Sequence, residues 1–226
     1  MTAVWKRAYL VRRNPRLTAE EFPRRWKQHS DLGQTFPDVV ARNRRVVYCL
    51  ANKALGERIG ASGEYDGVGL LWLRSPEALE ASNADPTAIP TMRADELKVF
   101  HQHVFNSAVL VEEHVLKPGA DGRVAVLRFV RRRPGLSREV FRAAWLAASS
   151  PEHAGKVSKH VKSLVIREPT VDFDGLAETW FDTAEDAVAT WTDRAFRDAL
   201  DAAEKALVDP AATMRFLTET CHERVA

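Results

Sequence analysis

Residues 12–26 read R-R-N-P-R-L-T-A-E-E-F-P-R-R-W, and residues 131–145 read R-R-R-P-G-L-S-R-E-V-F-R-A-A-W. Pro15, Leu17, Phe22 and Trp26 recur at one fixed spacing as Pro134, Leu136, Phe141 and Trp145. Further along, Y-D-G-V-G-L-L-W-L-R-S-P-E-A (65–78) is answered by F-D-G-L-A-E-T-W-F-D-T-A-E-D (173–186). Blocks that match in the same order mark two homologous modules in tandem. They are assigned to residues 1–117 and 122–226, with the turn-forming stretch K-P-G-A-D-G-R (117–123) as the link.

Each module has the same order of elements. Residues 4–11 and 123–130 are short, β-branched and aromatic, and each ends at a Pro-containing turn, so each reads as a strand. A helix follows. Thr18 and Glu21 form a Thr-x-x-Glu capping box ahead of Phe22 and Trp26; in the copy Ser137 caps, but Val140 stands where the glutamate would be. Second strands are expected at 45–51 and 163–167. The D-G pairs open third strands at 66–73 and 174–181, helices begin near Ser75 and Thr183, and fourth strands lie around 104–115 and 214–222. The order is β-α-β-β-α-β, the ferredoxin-like plan. Such a sheet has one bare face. Two copies packed sheet to sheet cover each other, so the expected fold is α+β, an α/β barrel formed within one chain. Sheet edges left exposed in each half are compatible with a homodimer.

Bulk composition excludes several classes. With 226 residues, 45% hydrophobic and 28% charged, the chain matches an ordinary globular protein rather than a disordered or membrane-inserted one. No apolar run approaches the roughly 18 residues that span a bilayer. A net charge of +2 gives no reason to expect a nucleic-acid partner. Cys49 and Cys221 do not make a disulfide framework, and no secretory leader is visible, so the cytoplasm is the expected compartment. No His, Cys, Asp spacing matches a zinc site, and His222-Glu223 lacks a second histidine. Neither a P-loop nor a G-x-G-x-x-G follows a strand. No metal and no cofactor are therefore expected.

The R-x-P-x-L-[ST]-x-E-x-F-x-x-x-W block followed by D-G-x-x-x-x-W resembles the EthD family of dimeric α/β-barrel proteins, once per half. The resemblance implies a barrel that binds small aromatic or apolar molecules, and an association with oxidative pathways. The family often carries a histidine four residues after the helix tryptophan. Here Ser30 and Ser149 occupy those positions, and His29 stands one place early.

Strand alternation sorts candidate residues by face. In this reading Ala8 and Leu10, with Leu127 and Phe129, face the helices. Trp5, Arg7, Tyr9 and Val11, with Val124, Val126 and Arg128, then line the barrel. On the third strands Val68, Leu70 and Trp72 match Leu176, Glu178 and Trp180. Glu178 among apolar neighbours is a candidate general acid or base, a partner in a structural ion pair with an arginine such as Arg128, or a solvated residue. Arg128 and Arg7 would hold an oxyanion, Tyr9 would donate a hydrogen bond, and Trp5, Trp72, Trp180 and His29 would contact the ligand. Two functions fit: a cofactor-free cyclase, dehydratase or isomerase acting on a small aromatic or polycyclic metabolite, or a non-catalytic binding or accessory protein.

Overall fold

Thr18 and Glu21 form the reciprocal box their spacing predicts. The Glu21 amide donates to Thr18 Oγ1 (3.2 Å) and the Thr18 amide to Glu21 Oε2 (2.9 Å). In the copy Ser137 works alone, accepting from the Val140 amide at 3.3 Å. The computed structural model describes residues 3–148, 151–153, 155–166 and 171–225. Its first half runs β1 (Val4–Val11), α1 (Glu21–Gly33), α2 (Pro37–Arg42), β2 (Asn43–Ala51), α3 (Lys53–Arg58), β3 (Gly67–Leu73), α4 (Pro76–Asn83), α5 (Ala88–Val99) and β4 (Ala108–Lys117). The second runs β5 (Val124–Val130), α6 (Arg138–Ala147), β6 (Lys159–Val165), β7 (Gly175–Phe181), α7 (Ala184–Thr192), α8 (Arg194–Glu204) and β8 (Met214–Val225). The strand expected at 163–167 thus starts earlier; its last residue, Arg167, and the candidate position Ser149 lie outside the described residues.

The repeated motifs have a shared mechanical role. Asp66 accepts from the Arg13 backbone amide (2.9 Å) and guanidinium (2.6 Å), and Asp174 accepts from the amide (2.9 Å) and guanidinium of Arg132. Each Asp thereby ties the start of the third strand to the end of the first. The glycine after it admits the helix tryptophan. A Cβ on Gly67 would lie 2.7 Å from the Trp26 ring, and one on Gly175 would lie 2.5 Å from Trp145. Both tryptophans are fully buried, and truncating a side chain of this size in a core costs about 3–5 kcal/mol.

The strands pair antiparallel in the ring β1-β3-β2-β8-β5-β7-β6-β4, a closed barrel. Within each half the order is the ferredoxin-like one, and the β2–β8 and β4–β6 ladders join the halves. Closure removes the exposed sheet edges on which the homodimer expectation rested. The link is also more than a tether: Asp121 pairs with Arg45 and with Lys159 (2.8 Å), so it binds β2 to β6.

Ladder registers and burial correct the faces of the first strands. Lys6, Ala8 and Leu10 stand beside Trp72, Leu70 and Val68, while Ala125, Leu127 and Phe129 stand beside Trp180, Glu178 and Leu176. These residues, with Val47, Cys49, Val109, Val111, Val165 and Phe216, form the barrel interior. Trp5, Arg7, Tyr9, Val11 and Arg128 therefore point outward, under the helices, opposite to the sequence reading. On the third strands Val68, Leu70 and Trp72 share the interior with their matches Leu176, Glu178 and Trp180. The physical reason is that both faces of this sheet are covered, so apolar alternation does not distinguish them, and a slip of one residue exchanges every side chain.

Candidate functional site

Glu178 is buried inside the barrel, and Arg128 lies on the other side of the wall, where it cannot meet it. The partner of Glu178 is Lys6, which is itself fully buried and also bonds Glu113 at 2.7 Å. Trp72 Nε1 donates to Glu113 at 2.9 Å. Burial pushes the Glu178 carboxyl up and Lys6 pulls it back, with a net rise. The two ends of the barrel are unlike: this charged cluster at one, and Leu10, Val68, Phe129, Phe173 and Phe216 toward the other. Trp180 is buried in the same interior. Trp5 is partly buried and packs against the first-half core beneath the helices.

Tyr9, Arg7 and His29 do come together, although not in the barrel. A cavity of about 160 Å³ opens between the outer face of the first-half sheet and the helices over it. The sheet contributes Arg7 and Tyr9 from β1, Leu71 from β3, Val46 and Tyr48 from β2, and Arg224 from β8. From above come His29 and Ser30 on α1, Arg42 on α2, and Met92, Arg93 and Glu96 on α5.

Local sequence places each group. Tyr9 pairs with Gly69, and a Cβ there would lie 2.2 Å from the Tyr9 ring, so the glycine allows the ring to lie across β3. Trp26 stacks on Tyr48, with centroids 4.5 Å apart at 14°. His29 and Ser30 follow Trp26 by three and four residues on α1, which keeps both on the buried side of the helix. His29 Nδ1 lies 2.9 Å from Asp95 Oδ2, and Arg25 Nη2 holds Asp95 Oδ1 at 2.5 Å. The hydrogen bond from His29, aided by Arg25, takes the Asp95 carboxyl down to about 2. An ionised Asp95 accepts from Nδ1–H and leaves Nε2 as the basic nitrogen.

The phenols stay protonated. Burial raises Tyr9 well above its ordinary value, and burial raises Tyr48 as well. Both keep the phenolic hydrogen at neutral pH; the two hydroxyls hydrogen-bond each other, and Tyr48 also meets Ser30. Arg224 Nη1 donates to Ser30 Oγ at 3.0 Å. Burial and the neighbouring Arg7 charge push Arg42 down to about 10. Among the described residues Arg7 makes no hydrogen bond or ion pair; its guanidinium lies 5.8 Å from the Tyr9 ring centroid and feels Glu96 at longer range. Glu96 itself meets His103 Nδ1 at 3.0 Å.

The equivalent positions in the second half hold a buried ion network. Ladder position for position, Arg128 stands where Tyr9 does, Lys162 where Tyr48 does, and Ala177 where Gly69 does. Arg128 donates to Glu204 through Nη1 (2.7 Å) and Nη2 (2.9 Å), and to Glu152 at 3.3 Å. Trp145 Nε1 also reaches Glu204 (3.0 Å), Thr179 reaches Glu152 (3.1 Å), and His160 Nε2 lies 3.4 Å from Glu152. Lys162 donates to the Trp145 carbonyl at 2.8 Å. All of these groups are buried.

Sequence reasoning missed Tyr48, Asp95, Glu96, Arg42 and Arg224. Two of them, Asp95 and Glu96, form the acidic pair of A-D-E-L (94–97) on α5, and Asp95 meets Arg25 and His29 of α1. Arg224 comes from the other half of the chain, so only the closed ladder between β2 and β8 brings it here.

The EthD domain model matches residues 14–103 and 133–211, well over half of the chain. The chain belongs to the EthD domain family. No curated protein matches the sequence significantly. Among solved structures it is similar to an anthrone oxidase-like protein (13% identity, TM-score 0.62, 100% of this chain and 94% of that one). A Fusobacterium nucleatum protein provisionally named a monooxygenase is also similar (6% identity, TM-score 0.60, 99% and 94%). So is a chlorite dismutase variant from Candidatus Nitrospira defluvii (10% identity, TM-score 0.55, 98% and 94%). At these identities the likeness establishes the EthD-type barrel fold and no particular reaction. No helix among the described residues is long and apolar enough to cross a membrane. No three His, Cys, Asp or Glu side chains among them are placed to hold a metal ion.

Proposed function

We propose that the first-half cavity binds a small, single-ring aromatic metabolite and that His29 moves a proton on it, in a cofactor-free cyclisation, dehydration or isomerisation. The observation that carries this reading is His29, backed by Asp95 at 2.9 Å, lining a cavity that Tyr9 and Tyr48 also line. His29 Nε2 takes a proton from carbon or oxygen, and Asp95 supports the imidazolium that forms. Negative charge grows on a substrate oxygen, where Tyr9 and Tyr48 donate hydrogen bonds in a pocket shielded from bulk water. The proton then returns to a different substrate atom. Glu178, held by Lys6 on the far side of the barrel wall, takes no part. The volume favours one ring over a polycyclic ligand, since a cavity of about 150 Å³ holds benzene.

The test is hydrogen exchange in D2O, followed by mass spectrometry, over a panel of single-ring enolisable acids that includes phenylpyruvate. The protein should accelerate exchange for at least one member, and His29→Gln should lower that rate about 100- to 10,000-fold with the fold intact. Equal exchange in His29→Gln contradicts the assignment. Two fold neighbours carry monooxygenase or oxidase names, so oxygen uptake in the same assay shows whether the carbanion is reprotonated or oxidised. A binding-only role is the second reading, favoured by Ser30 at the place where the family pattern puts histidine. It requires ligand binding without exchange for any member of the panel.

A further inference from the structure

The cavity carries more positive charge than proton transfer needs. Arg7, Arg42, Arg93 and Arg224 line it, and Glu96 is the one carboxylate among the described residues that does. Glu96 is engaged by His103, and Asp95 is engaged by Arg25 and His29. An oxyanion formed during the reaction supplies one negative charge, and Tyr9 and Tyr48 are placed to receive it. Arg7 is left over. It is a partly buried guanidinium with no ion pair or hydrogen bond among the described residues. Cations so placed are ordinarily paired, because taking charge out of water is expensive.

The other half shows how this fold satisfies such a group. There the sheet guanidinium is Arg128, and Glu204 grips it with both oxygens at 2.7 and 2.9 Å. This is the two-pronged geometry that a planar carboxylate makes with arginine. Arg7 stands two residues before the position that Arg128 matches, and among the described residues no carboxylate does the same for it. We propose that the first-half cavity takes a ligand bearing a permanent carboxylate on a single ring, which Arg7 binds as Arg128 binds Glu204, while Val39, Leu71, Ile89 and Met92 hold the ring. This rests on reading that cavity as the ligand site, but not on His29 acting as a base.

Calorimetric titration of the whole protein with benzoate, benzamide and inorganic phosphate tests it. Benzoate should bind at least 10-fold more tightly than benzamide, which has the same shape without the charge. Arg7→Gln should weaken benzoate about 10- to 100-fold, the range for a lost charged hydrogen bond, and leave benzamide unchanged. Arg7→Lys, which keeps the charge and loses the fork, should fall between. His29→Gln should retain benzoate binding, so loss of exchange activity in that variant leaves this inference standing. Should Arg7→Gln fail to fold, Arg7→Lys and the benzoate-to-benzamide ratio of the unmodified protein decide. No benzoate binding at millimolar concentration, equal affinity for benzamide, or an unchanged benzoate affinity in the Arg7 variants would overturn the proposal. Inorganic phosphate binding more tightly than benzoate would also overturn it, in favour of a phosphate site.

Discussion

The two halves share a backbone plan and have opposite interiors beneath their helices. In the first half Tyr9 and Tyr48, either side of Gly69, line an open cavity with Arg7, which has no ion pair among the described residues. In the second, Arg128, Lys162 and Ala177 hold the same ladder positions; Glu152 and Glu204 pair with Arg128, and Lys162 donates to the Trp145 carbonyl. A duplicated fold thus separates two tasks that one module would have to combine. The second half packs an ion network around Arg128, whereas the first retains Arg7, with no ion pair among the described residues, and a histidine dyad. Fusion in one chain makes this divergence possible, because a homodimer presents the same side chains twice.

The largest expected effect comes from breaking the network of the second half. Glu204→Gln removes the main partner of a buried guanidinium, and losing one member of such a pair costs about 3–5 kcal/mol. Arg7→Gln removes a partly buried guanidinium with no ion pair among the described residues, so it should leave stability unchanged or raise it. Urea denaturation of the two variants measures the contrast; equal losses would mean that Arg7 is as structurally committed as Arg128.

A smaller difference should appear in acid. Asp95 titrates at about 2, below its ordinary 3.8. Its ionised form therefore stabilises the folded state fully above pH 4, and that contribution disappears as pH falls toward 2. Asp95→Asn should flatten the dependence of stability on pH across that interval. An unchanged slope would show that the dyad does not hold Asp95 ionised.

The smallest effect sharpens the comparison at the helix starts. Val140 is exposed and stands where Glu21 completes the first-half box. Val140→Glu should gain about 0.5 kcal/mol by restoring the reciprocal bond, and Glu21→Ala should lose a similar amount, both by thermal melting. A destabilised Val140→Glu would indicate that the cap at Ser137 differs from that at Thr18.

Much of this was legible before any coordinates. The repeated Pro-Leu-Phe-Trp spacing and the D-G pairs identify two modules, because those residues perform the same close packing twice, Trp26 over Gly67 and Trp145 over Gly175. The parity of β1 was not legible. Its outward face holds Arg7 and Tyr9 and its inward face holds Lys6, and a sheet buried on both sides gives no polar stripe to tell them apart. Glu178 attracted notice as a buried carboxylate, and its partner Lys6 was hidden by that same inversion. Tyr48 and Arg224 reach the cavity only through ladders distant in sequence, so no local pattern announces them.

Ligand should enter the first half beneath its helices, and neither the barrel nor the second half. A crystal structure with 4-bromobenzoate, located by the anomalous signal of bromine, decides this. One bromine peak is expected between Tyr9, His29 and Met92, with the carboxylate on Arg7. A peak inside the barrel beside Lys6 and Glu178, or in the second half beside Arg128, would contradict it.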